Sequence, residues 1–545
     1  MRTIQIVFLL QVFVFLYTST NAQVYDERNN YHLTPERLQG LSPESRIDNI
    51  AVGIKALVQF NVNYVYATVQ ALSAAPNPLN AVTQFGLKGD GVTDNTQALQ
   101  RALDESYAQS RPLYLPAGVY LTGNIKVLHN ISLFGDGVAS VIRLKAGTPD
   151  KTALLYVENK KKGLGGDILI RDVAFDGNAE QNSTNQHNIN LQVFKSSNIC
   201  VRRVHFRGAT EKNIELLGDT TVVIDSCTLD TCGRASVNSG GNVGVYLVDN
   251  ILTGWSTQNL SAFPAYSCYS TNIKTFVYHN AFRNTVSSTE FSMEFFHYQT
   301  DDSVIIANNA FIHVADPNHA QPQSDTAYQN GGIGVSGVFS NAVIYANRFD
   351  NDGYHIGMRS GLELTCVNSV VLDNDITNGL ILMAANRYFR NLSNNLIANN
   401  KVVLKRGVGA VYLIYSDNAI QDTVKDLTIY GNEFDFSENG FGHNAGIRFG
   451  LNSKVVLDNI LIANNKINGN ADATRGIKCP GVFFQPNSYF NARDIMIRDN
   501  TITNCSTGVQ NNSDPQFHQN LSFVNNHFTK VQQSYDVKDG GILIK

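Results

Sequence analysis

Short apolar runs that end in an asparagine recur along the chain at nearly regular intervals. Three clear copies are VIIANNAF (304–311), LTIYGNEF (427–434) and IMIRDNTI (495–502), which share the form apolar-x-apolar-x-x-Asn-x-apolar. Thirteen copies align by this asparagine or its equivalent: Val173, Val204, Cys227, Asn250, Asn280, Asn309, Asn347, Asn374, Asn400, Asn432, Asn465, Asn500 and Asn526. Their mean interval of roughly 29 residues lies in the range of stacked structural repeats, so the pattern predicts a solenoid.

Each repeat contains three short apolar segments separated by turns rich in Gly, Asn or Asp. Such segments are too short for helices and too regular for loops, which indicates strands. Stacking the repeats would pair each strand with its equivalent one coil away, at a spacing of about 4.8 Å. Asparagines at equivalent turns would then form a ladder of side-chain amides. The predicted fold is all-β, a solenoid of roughly 13 or more coils.

Two segments before the repeats have helical periodicity. Apolar residues after Ser42-Pro43 predict an amphipathic helix near 43–59 that covers an apolar surface: Ile47, Ile50, Ile54, Leu57 and Val58. Asp94 and Gln97 have capping-box spacing, so a second helix is predicted over 94–106, where it would cover the first coil. The predicted organisation is a signal peptide (1–22), an N-terminal helical extension (23–80) and a β-helix domain (81–545).

The first residues have the features of a secretory signal. Arg2 supplies positive charge, 4–17 is apolar, and Thr20-Asn21-Ala22 precedes Gln23 as at a signal-peptide cleavage site. The apolar stretch is short for a membrane span, and no other follows. The sequence therefore predicts a secreted, soluble protein that begins near Gln23 after cleavage.

Composition narrows the classes of partner. Charged residues make up 16% of the chain, the net charge is −4 and 43% of the residues are apolar, which indicates a large core without the basic excess of a nucleic-acid-binding protein. A monomer is expected. The seven cysteines are an odd number, so at least one has no partner within the chain. Cys227 and Cys232 are close enough in sequence for a local disulfide, but burial of Cys227 as a small residue of the stack is favoured.

Two strings resemble a known superfamily. FGLKGDGVTDNTQALQRAL (85–103), followed by LYLPAGVYLTG (113–123), resembles the opening of pectate-lyase-superfamily proteins, which include polysaccharide lyases, polygalacturonase-like glycoside hydrolases, epimerases and phage tailspikes. The resemblance implies a right-handed parallel β-helix with a short helical N-terminal cap. It also implies that the strand following each asparagine turn lines a groove that binds a polysaccharide.

The alternation of side chains along each strand predicts which of them face this groove, one above another in a column. The middle residue of each groove strand should point outward and its apolar neighbours inward. The column is predicted to contain Asn190, Glu215, Glu294, Gly334, Glu363, Ile381, Tyr412, Arg448 and Phe483.

Glu294 and Glu363 are the predicted catalytic residues of this column. Two coil spacings place their backbones about 9 to 10 Å apart, near the upper end of the separation between the acid and the base of an inverting glycosidase. Gly334, between them, would leave room for a sugar ring. The alternative is that both are ordinary solvated glutamates on a polar face.

Further side chains near this pair are predicted to bind substrate. They are His297, His355, Arg359, Tyr412 and Arg448. An arginine pairs well with a carboxylate or a sulfate, so the expected substrate is an acidic polysaccharide.

The leading hypothesis is a glycoside hydrolase, and two alternatives stay open. A lyase in the same groove would use Arg448 or a histidine as base, with Ca²⁺ held at acidic turns such as Asp301-Asp302. No cofactor is otherwise expected. The resemblance to polygalacturonases is incomplete, because Gly442-His443-Asn444 matches their G-H-G only in part. The second alternative is a glycan-binding or tailspike-like protein without catalytic activity.

Overall fold

The computed structural model describes most of the chain between residues 42 and 544. The described ranges are 42–71, 77–158, 167–182, 187–254, 264–284, 292–295, 300–313, 334–351, 361–385, 389–405, 414–416, 422–438, 446–451, 455–474, 477–484, 491–511, 518–537 and 542–544. The predicted signal peptide lies outside these residues. Within them, the chain forms helices α1 (Pro43–Ala71), α2 (Ala81–Phe85) and α3 (Thr96–Ala108) and three columns of parallel strands.

The strands form three sheets that run the length of the stack. Sheet 1 contains Ile125–Val127, Ala153–Glu158, Ile189–Phe194, Lys212–Leu217, Val237–Gly240, Tyr266–Ser270, Met293–Phe295, Gly334–Ser340, Gly361–Val367, Leu380–Ala385, Ile414–Ser416, Ile447–Leu451, Pro480–Phe484, Thr507–Asn511 and Gln533–Val537. Sheet 2 contains Leu79–Asn80, Leu113–Leu115, Ile131–Gly135, Ile168–Arg171, Ser197–Arg202, Thr220–Asp225, Val243–Val248, Ile273–Tyr278, Asp301–Ala307, Val343–Tyr345, Val370–Leu372, Asn391–Ala398, Asp422–Tyr430, Val455–Ala463, Asn491–Arg498, His518–Val524 and Ile542–Ile544. Sheet 3 contains Asp90–Asp94, Gly118–Thr122, Ser140–Leu144, Ala174–Asp176, His205–Arg207, Thr228–Leu229, Ile251–Thr253, Ala281–Asn284, Ala310–His313, Arg348–Asp350, Asp375–Thr377, Lys401–Val403, Glu433–Asp435, Lys466–Asn468, Thr501–Thr503 and His527–Thr529.

From Ile125 onward the coils pass through sheets 1, 2 and 3 in turn, and each strand pairs with its equivalent in the next coil. Sheets 1 and 2 merge in the middle of the stack, where Gly334–Ser340 turns the corner and its last residues pair with Asp301 and Asp302. The interior is filled by apolar side chains from all three sheets, including the stacked rings of Phe282, Phe311 and Phe349. This is the right-handed parallel β-helix predicted from the repeat and the resemblance.

The repeating asparagines form a continuous ladder at the turn between sheets 2 and 3. The Oδ1 atom of each asparagine accepts hydrogen bonds from the backbone N–H and the Nδ2–H of the asparagine one coil earlier, at 2.9–3.1 Å. The ladder runs from Asn250 to Asn526, and the backbone N–H of Cys227 donates to its first rung. Its amides also donate to backbone carbonyls, as Asn280 does to Leu247, so the turn satisfies its buried polar groups.

A second, shorter ladder lies at the turn between sheets 1 and 2. The backbone N–H groups of Ser196, Asp219, Asn242 and Asn272 each donate to the side chain one coil later, ending at Asp301. Asp219 and Asp301 are buried, and burial raises the pKa of each carboxyl group to about 7. Two titratable groups are thus built into the framework of the stack.

Helix α1 lies along the outer face of sheet 2. Its buried face consists of Ile47, Ile50, Ile54, Val58, Val62, Val65 and Val69. These side chains pack on an apolar column that includes Leu169, Val223, Phe276, Ile305, Val343, Val370 and Leu396. Glu44, at the start of α1, accepts hydrogen bonds from Tyr430 and Asn464, whereas Tyr66, near its end, donates to Asp249. The helix therefore runs against the direction in which the coils are added.

The amphipathic helix predicted over 43–59 is confirmed, but it is longer than predicted. It continues to Ala71 because Val62, Val65 and Val69 extend the same buried face. A helix of 29 residues is about 44 Å long, so α1 spans many coils. Among the described residues, no helix combines the length and the apolarity needed to cross a membrane.

Helices α2 and α3 cover the first coils. Leu99, Ala102 and Leu103 of α3 are buried in the same core as the first strands. The predicted start of this helix at Asp94 was wrong by two residues. Asn95 is the cap residue, and α3 begins at Thr96. The Asn95 side chain is instead hydrogen-bonded to Lys88 and Thr93, where it closes the Gly-rich turn.

The seven cysteines are all buried and all free thiols. The Cys227 thiol donates to the carbonyls of Val201 and Asp225, so the local disulfide with Cys232 is absent and the alternative of a buried residue in the stack is confirmed.

Candidate functional site

The outward-facing residues of sheet 1 form one continuous column at a common register. In chain order it contains Lys126, Tyr156, Gln192, Glu215, Asn238, Ser267, Glu294, Ser336, Glu363 and Leu382, and, after a coil whose member lies outside the described residues, Arg448, Phe483, Gln510 and Asp536. Neighbouring members are one strand spacing apart, about 4.8 Å. Apart from Leu382, these side chains are polar or aromatic, and five of them are buried: Glu215, Asn238, Ser267, Ser336 and Arg448.

Glu294 and Glu363 occupy this column as predicted, with one coil between them. The residue opposite both is Ser336, which pairs in register with Glu294 on one side and Glu363 on the other. Two strand spacings separate the glutamate backbones by about 10 Å. Both side chains are half-buried, and Oε2 of Glu363 is buried. The two carboxylates therefore flank a small hydroxyl side chain on one face of the sheet.

Three other members of the predicted column were placed wrongly. Gly334 does not lie between the glutamates. It pairs with Gly361 at the start of the strands, where a Cβ on Gly334 would lie 2.0 Å from the Gly361 carbonyl oxygen. Asn190 is buried and hydrogen-bonded to Asn213, two residues before the true member Gln192. Ile381 points into the core, and Leu382 takes its place.

Arg448 and Phe483 are correctly placed in the column. The guanidinium carbon of Arg448 lies 5.4 Å from the centre of the Phe483 ring, a cation–π contact between adjacent coils. Arg448 is three coils beyond Glu363, about 14 Å along the stack. The other predicted substrate-binding residues, His297, His355, Arg359 and Tyr412, lie outside the described residues.

Glu215 lies in the column as predicted, but the polar cluster around it was not predicted from the sequence. Glu215 accepts hydrogen bonds from Gln192 (2.6 Å), Lys212 (2.6 Å) and Asn238 (3.0 Å), and it is almost completely buried. Its partners Gln192 and Asn238 are the column members one coil before and one coil after. The sequence contains Gln192, Glu215 and Asn238 in three successive groove strands. Their contact can be inferred only when the register between these strands is known.

Tyr156 and Lys126 extend this polar surface toward the N-terminal end. The Tyr156 hydroxyl donates to Glu158 at 2.9 Å, and burial raises the pKa of the phenol to about 12. The Lys126 ammonium lies 5.3 Å from the centre of the Tyr156 ring. The tyrosine therefore stays protonated at neutral pH, as a hydrogen-bond donor.

The acidic turn Asp301-Asp302 does not face the groove. Asp301 is the last rung of the short ladder, and Asp302 accepts hydrogen bonds from Ser340 and Asn341. Both aspartates thus hold the corner between sheets 1 and 2 together. Within the described ranges, no three His, Cys, Asp or Glu side chains are grouped as metal ligands.

The column contains three groups of side chains in a fixed order. The Glu215 cluster lies three coils before Glu294, the carboxylate pair is central, and Arg448 with Phe483 follows three coils after Glu363. Because strands of a stacked sheet hold their side chains at constant spacing, the distances between these groups are set by the fold.

Comparison with known proteins supports the resemblance in the N-terminal part. Residues 79–179 match the family model described as "Rhamnogalacturonase A/epimerase, pectate lyase-like". The pectate-lyase-like character predicted from 85–103 and 113–123 is therefore confirmed.

Relatives with different names match part of this chain. The chain is 26% identical over 144 residues to the pre-neck appendage protein of Bacillus phage B103, covering 25% of this chain and 16% of that protein. It is 34% identical over 110 residues to alginate lyase 7 of Azotobacter vinelandii, covering 18% and 13%. It is 33% identical over 99 residues to an exo-poly-alpha-D-galacturonosidase of Dickeya chrysanthemi, covering 16% of each chain. The chain thus spans about a sixth or less of the length of these relatives.

Proposed function

We propose that this protein is an exported enzyme that hydrolyses an acidic polysaccharide bound along the outward column of sheet 1. The observation that supports the proposal is the register of Glu294, Ser336 and Glu363, which places two carboxyl groups on one face with a single coil between them. Inverting glycosidases need carboxyl groups about 6.5–9.5 Å apart, so that a water molecule fits beside the scissile bond. A backbone separation of about 10 Å is close to this range.

In this proposal Glu363 is the general acid and Glu294 the general base. Burial disfavours the charged form of a carboxyl group, and Oε2 of Glu363 is buried. A protonated Glu363 would donate its proton to the oxygen of the leaving sugar. An ionised Glu294 would accept a proton from the water that attacks the opposite face of the ring. Ser336, between them, has a small side chain that is completely buried.

The proposed substrate carries carboxylate groups. Arg448 lies on the path of the polymer three coils from Glu363, held in place by the Phe483 ring. A guanidinium binds a carboxylate through two parallel hydrogen bonds. Lys126 lies at the opposite end of the column and supplies a second positive charge. The similarity to a galacturonosidase, an enzyme named for a uronic acid, supports the same class of substrate.

A second candidate is cleavage by β-elimination in the same groove. The observation in its favour is the 34% identity to alginate lyase 7 over 110 residues. In a lyase, a base removes the proton next to the uronate carboxylate, and the product carries a new double bond. Binding without cleavage is the remaining alternative, which the similarity to a phage appendage protein supports.

The products formed from acidic and neutral polysaccharides distinguish these functions. The full chain should be incubated with polymers of galacturonate, mannuronate and guluronate and with neutral glucans, and assayed for reducing ends and for ultraviolet absorbance of unsaturated uronates. New reducing ends without absorbance support hydrolysis. Absorbance would show a lyase, and retention of an acidic polymer without any product would show a binding protein.

A further inference from the structure

Two thiols lie side by side in the C-terminal coils. Cys479 precedes the sheet 1 strand Pro480–Phe484, and Cys505 precedes the next one, Thr507–Asn511. Both side chains are completely buried. The two thiols share a hydrogen bond, which lowers the pKa of Cys479 and raises that of Cys505.

Gly469 creates the space that both sulfurs occupy. A Cβ on this residue would lie 2.7 Å from Sγ of Cys505 and 3.0 Å from Sγ of Cys479. Both sulfurs therefore contact the same small volume, and any side chain at 469 would force them to move. The backbone N–H of Gly469 donates to Thr503, which fixes the glycine in this position.

The backbones of the two cysteines are held at a distance that a disulfide can bridge. Pro480 pairs with Thr507, so Cys479 is level with Ser506 and diagonal to Cys505. The N–H of Cys479 donates to Oγ of Ser506, and the N–H of Ser506 donates to the carbonyl of Cys479. Diagonal neighbours on adjacent parallel strands have Cα atoms about 6 Å apart, and disulfides join Cα atoms about 4.4–6.8 Å apart.

Other thiols of the chain interact with oxygen atoms instead. Cys232 donates to the Arg234 carbonyl, and Cys268 donates to the Ser270 carbonyl and the Asp301 carboxyl group. The Cys505 thiol also lies 3.3 Å from the Thr503 carbonyl, so it has a hydrogen-bond partner on either side. A thiol pair between consecutive coils thus distinguishes Cys479 and Cys505 from these side chains.

We propose that Cys479 and Cys505 are a modification site, at which a low-molecular-weight disulfide oxidises them during folding, before both side chains are buried, to a disulfide that joins two consecutive coils. The Cys479 thiolate attacks the disulfide and releases one thiolate, forming a mixed disulfide. The Cys505 thiolate then attacks the Cys479 sulfur and releases the second. Two electrons and two protons pass from the pair to the oxidant, which leaves as two thiols.

Peptide mapping of the refolded full chain tests this assignment. The protein is unfolded in urea with reductant, refolded with reduced and oxidised glutathione, quenched in acid and alkylated under denaturing conditions. A cross-linked peptide that contains Cys479 and Cys505, about 2 Da lighter than its two reduced parts, is expected. The other five cysteines should be alkylated. Alkylation of both Cys479 and Cys505 in the refolded protein would overturn the proposal.

Thermal melting provides a second readout with matched variants. The oxidised wild-type protein should have a higher Tm than the same sample with reductant. Cys505→Ser should abolish this difference, whereas Cys366→Ser, which changes a buried thiol elsewhere, should retain it. A redox-dependent Tm that survives Cys505→Ser would contradict the assignment. If Cys505→Ser does not fold, the peptide map of the wild-type protein decides.

Discussion

The hydroxyl of Tyr430 donates a hydrogen bond of 2.7 Å to Glu44, which precedes it by 386 positions in the chain. This bond fixes the start of helix α1 on sheet 2 and is the largest cause that lowers the pKa of Glu44 from 4.5 to about 2. A carboxyl group with a depressed pKa contributes stability above its unfolded pKa, and that contribution is lost as the pH falls through the folded pKa.

The Tyr430→Phe variant should therefore weaken the acid dependence of stability. Between pH 4.5 and 2 the wild-type Tm should fall, and the variant should lose less over the same range because its Glu44 pKa lies closer to the unfolded value. Circular dichroism melts at a series of pH values measure both curves. Tyr107→Phe, at an exposed ring on α3, serves as control and should follow the wild type. Parallel curves for wild type and Tyr430→Phe would contradict the role of this bond.

Replacing a central rung of the asparagine ladder should strongly destabilise the fold. Asn374 accepts from the backbone and side chain of Asn347 and donates to Asn400 and to the Ile344 and Leu372 carbonyls. Asn374→Ala leaves several buried groups unsatisfied, at about 1–3 kcal/mol for each, so a loss of about 3 kcal/mol or more is expected. Urea unfolding measures the difference.

Asn526, at the partly exposed end of the ladder, provides a graded control. Water can replace the partners lost in Asn526→Ala, so this variant should lose less stability than Asn374→Ala. Equal losses at the two positions would show that the ladder contributes no more at its centre than at its end.

The buried carboxyl group of Asp301 should make the protein less stable as the pH rises from about 4 to about 7. Its folded pKa is raised from 3.8 to about 7 by burial, so the proton that stabilises the fold below pH 4 is lost through this window. Asp301→Asn keeps an oxygen acceptor for the Asn272 backbone N–H and removes the titration.

This variant should match the wild type near pH 4 and exceed its stability at pH 8. Each pKa unit is worth about 1.4 kcal/mol, so a gain on the order of 2 kcal/mol or more is expected at pH 8. Urea unfolding at the two pH values provides the measurement. Asp302→Asn, which changes the neighbouring half-buried carboxylate, should not reproduce the gain. A gain for Asp301→Asn at pH 4 as large as at pH 8 would rule out titration as its cause.

Removing either carboxylate of the proposed catalytic pair should reduce hydrolysis without unfolding the protein. Glu294→Gln and Glu363→Gln keep the shape of the side chains, and general acid–base catalysis contributes about 10²–10⁴-fold, so kcat should fall by this factor. The rate at which reducing ends are released, from the polymer that is cleaved in the product assay described above, measures the loss. Glu433→Gln, on the exposed face of sheet 3, is the matched control and should keep full activity. Full activity in either groove variant would eliminate the pair as catalytic residues.

Local patterns of the sequence predicted much of the architecture. The ladder from Asn250 to Asn526 was predicted because each asparagine follows its own apolar strand at a fixed distance. Glu294 and Glu363 were correctly assigned to the outward face, since alternation along a strand depends only on the immediate apolar neighbours. The helix near 43–59 was also predicted locally, from the spacing of apolar residues within that single segment.

Contacts between coils could not be predicted from local patterns of the sequence. Ser336, and not Gly334, lies between the glutamates, because register across coils depends on the lengths of the turns and on how the backbones pack. The cluster around Glu215 combines side chains from three coils, and no segment of the sequence contains it. The extension of α1 to Ala71 depends on an apolar column contributed by many strands of sheet 2.

By itself, the sequence determined the repeat, the strand faces and the presence of a helix before the repeats, because these depend on hydrogen bonds and side-chain alternation within a few residues. Only the tertiary structure decided which side chains meet: Ser336 with the two glutamates, Tyr430 with Glu44, and Cys479 with Cys505. The physical reason is that stacking converts separations of tens or hundreds of residues into neighbouring strands about 4.8 Å apart. The register between coils depends on the turn lengths and the packing of each complete coil, so a single segment does not determine it.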